Sequence, residues 1–393
     1  MNGTEVYFDN SATTALCEAA LGRMSEVMVR YYGNPSSLHT LGVDAERIVS
    51  QARAELLNAL GVKGISPFGD PRLVFTASGT EADNLALFGV CRAKKFRPGQ
   101  KIIVSDSEHP AVGRCADKLE SDGFRVVRIP SIKGRFDYDM LEAEADSDTV
   151  LVSVMLVNNE TGAVNDIKRI SKIVKSKNRE AVIHTDAVQG FLKLKFTPAS
   201  LGADLITLSS HKIHGPKGVG ALYIDSAIIK ARKLVPIIYG GGQEKGFRSG
   251  TENTVGIAGF GAAAAYFSKQ LDSGIEKMKS LRDYIENELA REFTLNIPDS
   301  ERAPHIVSLR LPGIKSETML HYLSGEGVYV SSGSACSSHS GHVSGTLLSF
   351  GLTEREADST IRISLSEYNT FDEADILISK ISQGVQKLAV SIK

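Results

Sequence analysis

The chain has 393 residues, 42% of them hydrophobic and 23% charged, with a formal net charge of -1. That length exceeds one ordinary core and predicts two domains, in a composition typical of globular proteins rather than disordered or fibrous ones. A charge so close to neutral gives no electrostatic reason to expect direct nucleic-acid binding or an anionic membrane as the main partner.

In chain order, the stretch Met1 to Asp9 has no basic flank and no long apolar run, so no signal peptide is expected there. Short β-type apolar runs follow at Leu73–Phe75, Lys101–Val104, Arg125–Ile129, Thr149–Val157, Ala181–Ile183 and Leu205–Leu208. Between them Glu81–Lys95, Ala111–Ser121 and Ile167–Lys177 carry apolar residues at helical spacing. Strand and helix in regular alternation predict an α/β fold whose mainly parallel sheet is flanked by helices. Gly256–Phe267 is too short to span a bilayer and reads as a closely packed helix. Beyond it, the amphipathic run Lys277–Glu292 and the strand-like run Ile306–Leu311 predict a smaller α+β domain. The expected division is a large domain over residues 14–257 and a small one over 258–393, joined by 1–13. Four cysteines, Cys17, Cys91, Cys115 and Cys336, form no CxxC pair, which excludes a disulfide framework and points to the reducing cytoplasm.

Polar residues collect where the predicted strands end. After Phe75, the turn Ser78-Gly79-Thr80-Glu81 opens a helix. It fits a capping box, and equally a phosphate cradle of helix N–H groups and hydroxyls. His109 follows the strand ending near Ser105; it is either a satisfied surface residue or a ring that stacks on a cofactor and moves protons. Asn158-Asn159 ends the next strand, as a turn or as an amide aimed at a ligand. Asp186 ends another, at the edge where parallel sheets bind ligands, and a carboxylate there can hold a pyridinium nitrogen protonated. Lys212 follows the last strand in the loop Ser209-Ser210-His211-Lys212. A lysine so placed is either part of a solvated turn or the amine that captures a carbonyl cofactor. Each feature has its ordinary explanation; their joint occurrence in this order points to pyridoxal 5'-phosphate.

Cys336 stands in the run Ser331-Ser332-Gly333-Ser334-Ala335-Cys336, too small and polar to bury much, where an accessible thiol is a usable nucleophile. The spacing Cys336-x-x-His339-x-x-His342 lacks a fourth ligand and matches no common zinc motif, so no metal is expected.

These motifs, with Asp9-Asn10-Ser11-Ala12-Thr13-Thr14, Gly33-Asn34-Pro35-Ser36-Ser37, Gly240-Gly241-Gly242-Gln243-Glu244, Arg248-Ser249-Gly250-Thr251 and Ile361-Arg362-Ile363-Ser364, cover nearly the whole chain. Together they resemble the cysteine desulfurases of the nitrogen-fixation and iron–sulfur-cluster type, class-V members of the fold-type I pyridoxal-phosphate enzymes. The resemblance implies a seven-stranded sheet, with the catalytic cysteine carried by the small domain. It implies conversion of L-cysteine to L-alanine, with sulfur passed as a persulfide on Cys336 to an acceptor protein, either an iron–sulfur scaffold or a tRNA-thiolation protein. By position, Lys212 carries the cofactor, Asp186 pairs with its ring nitrogen, Gln189 with its hydroxyl, and His109 stacks on the ring and shuttles protons. Gly79, Thr80, Ser209 and His211 hold the phosphate, joined by Thr251 from the other subunit of a homodimer. Arg362, Asn159 and Asn34 grip the substrate carboxylate. The chain departs from the family after Cys336, where many relatives carry a Glu-Pro-Ser element and this one reads Ser337-Ser338-His339. Rival readings are another enzyme of the same fold (a selenocysteine lyase, an aminotransferase or a cysteine lyase) and a non-catalytic sulfur carrier.

Overall fold

A computed structural model gives the fold and describes residues 5–67, 69–93, 99–311, 313–333 and 343–390. The large body is built on a seven-stranded sheet. Its strands are β2 (Leu73–Thr76), β3 (Lys101–Ser105), β4 (Arg125–Ile129), β5 (Thr149–Ser153), β6 (Val182–Asp186), β7 (Leu205–Ser209) and β8 (Gly220–Ile224), after a short β1 (Val6–Tyr7) that lies elsewhere. The spatial order is β2-β8-β7-β6-β5-β3-β4, and only β8 runs antiparallel to its neighbours.

The apolar runs are continuous because both faces of the sheet are covered. Phe75, Ile103, Val152, Ile183 and Ile206 face one core, which also takes in residues of α1 (Glu18–Arg30) and α2 (Thr40–Ala59). Val74, Ile102, Val104, Leu151 and Leu222 face a second core under α3 (Gly79–Ala93) and α4 (Pro110–Ser121). The run expected as a strand from Thr149 to Val157 keeps its ladder only to Ser153. Beyond it Leu156 N still donates to Asp186 O (2.8 Å), but Val157 turns away to bridge Val164. That departure carries Met155 and Val157 past the sheet edge.

The predicted helix Ile167–Lys177 is present, as α5. The glycine- and alanine-rich run forms α6 (Thr254–Ser268), wedged against α1 and α2. Its small residues permit the approach: a side chain at Gly261 would stand 2.7 Å from the Cα of Ala52. α6 crosses the expected division at 257/258 without a break, and Ile257, Phe260 and Ala263 all belong to the first core.

The charged helix begins earlier than its sequence pattern predicts, as α7 (Leu271–Leu289). It packs with α8 (Ser316–Gly325) and α9 (Phe371–Val390) around an antiparallel sheet of β9 (Thr294–Leu295), β10 (Ile306–Arg310) and β12 (Thr360–Ser364). Between these in sequence, β11 (Val328–Tyr329) pairs in parallel with β1. Val6 and Phe8 are thereby buried in this smaller core, with Val307, Leu309, Ile361 and Ile363. The N-terminal segment then crosses back to the large body, where Thr14 N donates to His211 O (2.9 Å).

Candidate active site

A cavity of about 210 Å³ opens at the carboxyl ends of β5, β6 and β7, where the N-terminal segment and β12 meet the large sheet. Ligands of open α/β sheets bind at such strand ends, because successive loops and helix N-termini converge there. Of the residues expected at the site, it brings together Gly79, Thr80, His109, Asn159, Asp186, Gln189, Ser209, His211, Lys212 and Arg362.

The helix-start wall is shaped by sequence at short range. Ser78 Oγ accepts from Glu81 N (3.1 Å) and Glu81 Oε2 accepts from Ala77 N (3.0 Å), which fixes the turn before α3. Arg248 Nε donates to the same carboxylate at 2.7 Å. The turn also requires a close strand behind it. A side chain at Gly220 would sit 2.4 Å from the carbonyl carbon of Ser78. Gly79 and Thr80 thus open α3 at the cavity wall with their first-turn N–H groups, a geometry suited to an anion.

His109 caps α4, its Nδ1 accepting from Ala111 N at 3.2 Å. Burial, helped by the nearby Lys212 charge, pushes its pKa down to about 4, so the ring is neutral near pH 7. The neighbouring Glu108 accepts from Ser105 Oγ and from Met155 N (2.8 Å), and burial pushes its carboxyl up to about 8. Asp186 ends β6 with Oδ1 accepting from Val188 N at 2.8 Å. Burial raises its pKa, opposed by that hydrogen bond and by Lys212. Beneath it His184 is fully enclosed between Ser153 Oγ (2.8 Å) and Thr207 Oγ1 (3.1 Å), and burial holds it neutral.

Lys212 ends a single turn of 3-10 helix after β7. Its Nζ donates to the main-chain oxygens of Ser11 (2.6 Å) and Ala12 (2.7 Å). Gln189 Nε2 donates to the same Ser11 oxygen at 2.9 Å, leaving Gln189 Oε1 enclosed without a partner among the described residues. His211 Nδ1 lies 3.1 Å from Thr13 Oγ1, and burial and Lys212 lower its pKa to about 4. Across the cavity Arg362 is almost fully enclosed on β12, donating from Nη1 to Asn159 O (2.9 Å) and from Nη2 to Asp9 Oδ1 (2.9 Å).

Two expected residues are not brought here. Thr251 is exposed and lines a separate groove with Thr76, Ala77 and Arg248. Asn34 is exposed as well, its Oδ1 accepting from Ser36 N at 2.9 Å in a surface turn that precedes α2. Within one chain Asn34 thus lies outside the cavity, its Oδ1 committed to the turn. Cys336, His339 and His342 lie outside the described residues. Among the described residues no His, Cys, Asp and Glu side chains gather as a metal site, and no helix is long and apolar enough to cross a membrane.

Sequence reasoning missed Asp83, Asp9 and the carbonyls of Ser11 and Ala12. Asp83 was legible as the one acid on the inward face of α3, among Ala82, Leu85 and Ala86; burial and the Asp186 charge raise its pKa well above the usual range. The carbonyls carry no side-chain signal. A larger groove of about 750 Å³ lies elsewhere, bordered by Arg135, Tyr138, Lys168 and Lys195, and lacks a comparable set of converging groups.

The enclosed, unpartnered atoms decide whether pyridoxal phosphate fits. Gln189 Oε1, Ser11 Oγ and Arg362 Nε belong to residues lining the cavity and are buried without hydrogen-bond partners among the described residues. A buried polar atom left unpaired is costly, so three such atoms converging on one cavity suit a polar guest. An amine, a carboxylate, a neutral imidazole and a helix N-terminus around one cavity match an aldehyde, a pyridine nitrogen, a ring face and a phosphate. The residues fit the cofactor.

The chain matches the family described as Aminotransferase class-V over residues 6–377. It is similar to "Cysteine desulfurase IscS 1" of Archaeoglobus fulgidus, 37% identical over 385 residues and covering 97% of each chain. It is likewise similar to "Cysteine desulfurase IscS" of Dictyoglomus turgidum, 37% identical over 388 residues, covering 98% of this chain and 95% of that one. Among solved structures, one titled "NIFS-LIKE PROTEIN" superposes with a TM-score of 0.89 at 35% identity, over 98% of this chain and all of the other. Another, titled "SspA in complex with cysteine", superposes with a TM-score of 0.78 at 31% identity, over 93% of this chain and all of the other.

Proposed function

The chain belongs to the class-V aminotransferase family and is a cysteine desulfurase, and from that premise we propose how its residues divide the work. The observation that carries the assignment is the meeting of Lys212, Asp186, His109 and Arg362 around one cavity, in a chain similar to cysteine desulfurases over nearly its full length. The substrate is L-cysteine. The balanced reaction moves one sulfur: L-cysteine and the Cys336 thiol become L-alanine and a Cys336 persulfide, with no external oxidant or reductant. The Cβ–S bond breaks and an S–S bond forms.

Pyridoxal phosphate, when bound, supplies the electron sink that lets the substrate Cα give up a proton. Lys212 would hold its carbonyl carbon, Asp186 its ring nitrogen, Gln189 its hydroxyl and His109 its face, with Gly79, Thr80, Ser209 and His211 on the phosphate. The Lys212 amine would take the Cα proton. His109, neutral near pH 7 and with Nδ1 committed to Ala111 N, keeps Nε2 as its working nitrogen and shuttles protons at the substrate. Arg362 binds the substrate carboxylate with its charge and planar donors, beside the Asn159 backbone. The Cys336 thiolate accepts the sulfur and then delivers it to an acceptor protein, an iron–sulfur scaffold or a tRNA-thiolation protein, in the cytoplasm.

The working unit is a homodimer in which Thr251 completes the partner's phosphate site. Its exposure in one chain, together with the exposed Leu21, Met28, Val29, Tyr32 and Leu38, supports this reading, because a second copy would cover these apolar side chains. The division between large and small domains falls at the junction of α6 and α7 rather than at 257/258, because α6 belongs to the core of the large sheet.

The deciding experiment measures alanine released from L-cysteine, with a thiol reductant present, by the wild type and by Cys336→Ala. Alanine from the wild type and none from the variant is expected. Equal release from both would remove Cys336 from the reaction and favour a selenocysteine-lyase type of cleavage, whereas pyruvate in place of alanine would mark a cysteine lyase.

A further inference from the structure

Arg362 has an acidic partner that does not line the cavity. Asp9 follows β1 and pairs in parallel beside Ser364 of β12. Ser364 is two residues from Arg362, so both point from the same face of that strand, and a residue paired there reaches the guanidinium. The result is the 2.9 Å contact from Arg362 Nη2 to Asp9 Oδ1. The backbone of Asp9 is fixed as well: Tyr7 Oη donates to Asp9 O (3.2 Å) and to Thr13 O (2.8 Å), and Ala12 N donates to Asp9 O (2.9 Å).

On its other side Arg362 Nη1 donates to Asn159 O. The two outer nitrogens are each held from a different segment, which locks the plane of the guanidinium. Nε remains enclosed with no hydrogen-bond partner among the described residues, although the side chain lines the cavity. A buried charged donor left unmade is costly, so this edge is where an incoming anion gains most. Glu160, the other acid near Arg362, has its carboxylate taken by Ser344 Oγ at 2.5 Å.

Resting on the reading that Arg362 takes the substrate carboxylate, we propose that Asp9 is its positioning residue. With the Asn159 carbonyl, Asp9 orients the guanidinium so that its Nε edge meets the carboxylate of L-cysteine. Asp9 thereby sets the preference for an amino acid over an amine. It does not touch the substrate.

The test uses the cofactor-loaded enzyme and two ligands, L-cysteine and cysteamine, which has the amine and thiol but no carboxylate. The readouts are the KM for alanine release and the midpoint of the cofactor's spectral change on titration with each ligand. Asp9→Ala should raise both values for L-cysteine by ~10-fold, the equivalent of about 1.4 kcal/mol, and leave the cysteamine midpoint in place. Asp9→Ser should do the same while keeping a polar group in the segment, which guards against a folding defect. Asp9→Asn, whose amide oxygen can still accept from Nη2, should recover most of the loss. An unchanged L-cysteine midpoint in the Ala and Ser variants overturns the proposal, as does equal weakening of both ligands, which would make Asp9 a structural tether only. Arg362→Ala is the control and should erase the preference for L-cysteine over cysteamine. If it does not, the carboxylate reading of Arg362 falls and the role of Asp9 with it. If it does while the Asp9 variants behave as wild type, only the role of Asp9 is lost.

Discussion

The two sides of the cavity are made in different ways. The cofactor side, from Gly79 and Thr80 through His109 and Asp186 to Lys212, follows strand ends of one sheet, and the turn at Ser78, His109 and Asp186 are each held by neighbours a few positions away. The substrate side is assembled across the chain: Arg362 is held by Asp9, 353 residues distant, and by Asn159, 203 residues distant. Most of the first side can be placed as soon as the large sheet forms, with Lys212 and Gln189 taking their final partners, the Ser11 and Ala12 carbonyls, from the N-terminal segment. The second exists only once the N-terminal segment has paired β1 with β11, bridged from Asp9 to Ser364 of the small sheet and crossed back to the lysine loop. A fault on the cofactor side should therefore abolish chemistry, whereas a fault on the substrate side should first degrade affinity and selectivity.

Lys212→Ala tests the cofactor side most severely. Losing the amine that holds the cofactor and moves the Cα proton should lower alanine release by ~10³-fold or more. Borohydride treatment should then leave no cofactor attached to the chain, whereas the wild type should keep it; retained attachment would move the role to another lysine. Asp186→Asn should come next. Replacing the buried carboxylate at the ring-nitrogen position with a neutral amide should cut kcat by ~10²-fold while leaving the fold intact by circular dichroism.

A smaller effect separates the scaffold from the groups it carries. Gly220→Ala would set a methyl 2.4 Å and 2.6 Å from the carbonyl carbon and oxygen of Ser78. The turn must shift, costing about 3 kcal/mol in urea unfolding and weakening cofactor retention without removing any catalytic group. Unchanged stability would mean that β8 does not brace the phosphate turn.

The smallest expected effect is a pH dependence at Glu108. Its carboxyl is raised from 4.5 to about 8 by burial, so in this window the folded protein keeps a proton that the unfolded chain releases. The wild type should therefore lose stability as pH climbs from 4.5 to about 8. Glu108→Gln cannot ionise and should lack that loss. Thermal melts of the cofactor-free proteins should diverge with rising pH, the variant becoming the more stable; parallel curves would show that Glu108 is already ionised in the fold.

The cofactor side was legible in the sequence because strand-end chemistry is local. Short continuous apolar runs place the strands, the polar residue after each run falls at the ligand edge, and Ser78 and Glu81 mark the helix start. Leu73–Phe75, Lys101–Val104, Leu205–Leu208 and Ala111–Ser121 each gained a single residue at one end, whereas the Thr149–Val157 run ended early. Its last residues are apolar because they line a cavity and pack against Val164, a distinction that periodicity cannot make.

The amino-acid sequence by itself determined the α/β sheet, the order of its functional strand ends and the family. Apolar spacing, turn chemistry and motif identity are all properties of adjacent residues. Tertiary structure alone decided that Asp9 would clasp Arg362 and that the carbonyls of Ser11 and Ala12 would receive Lys212. Carbonyl positions and partners hundreds of residues apart leave no periodic or compositional trace. They are fixed only when a two-residue strand closes one domain against the other.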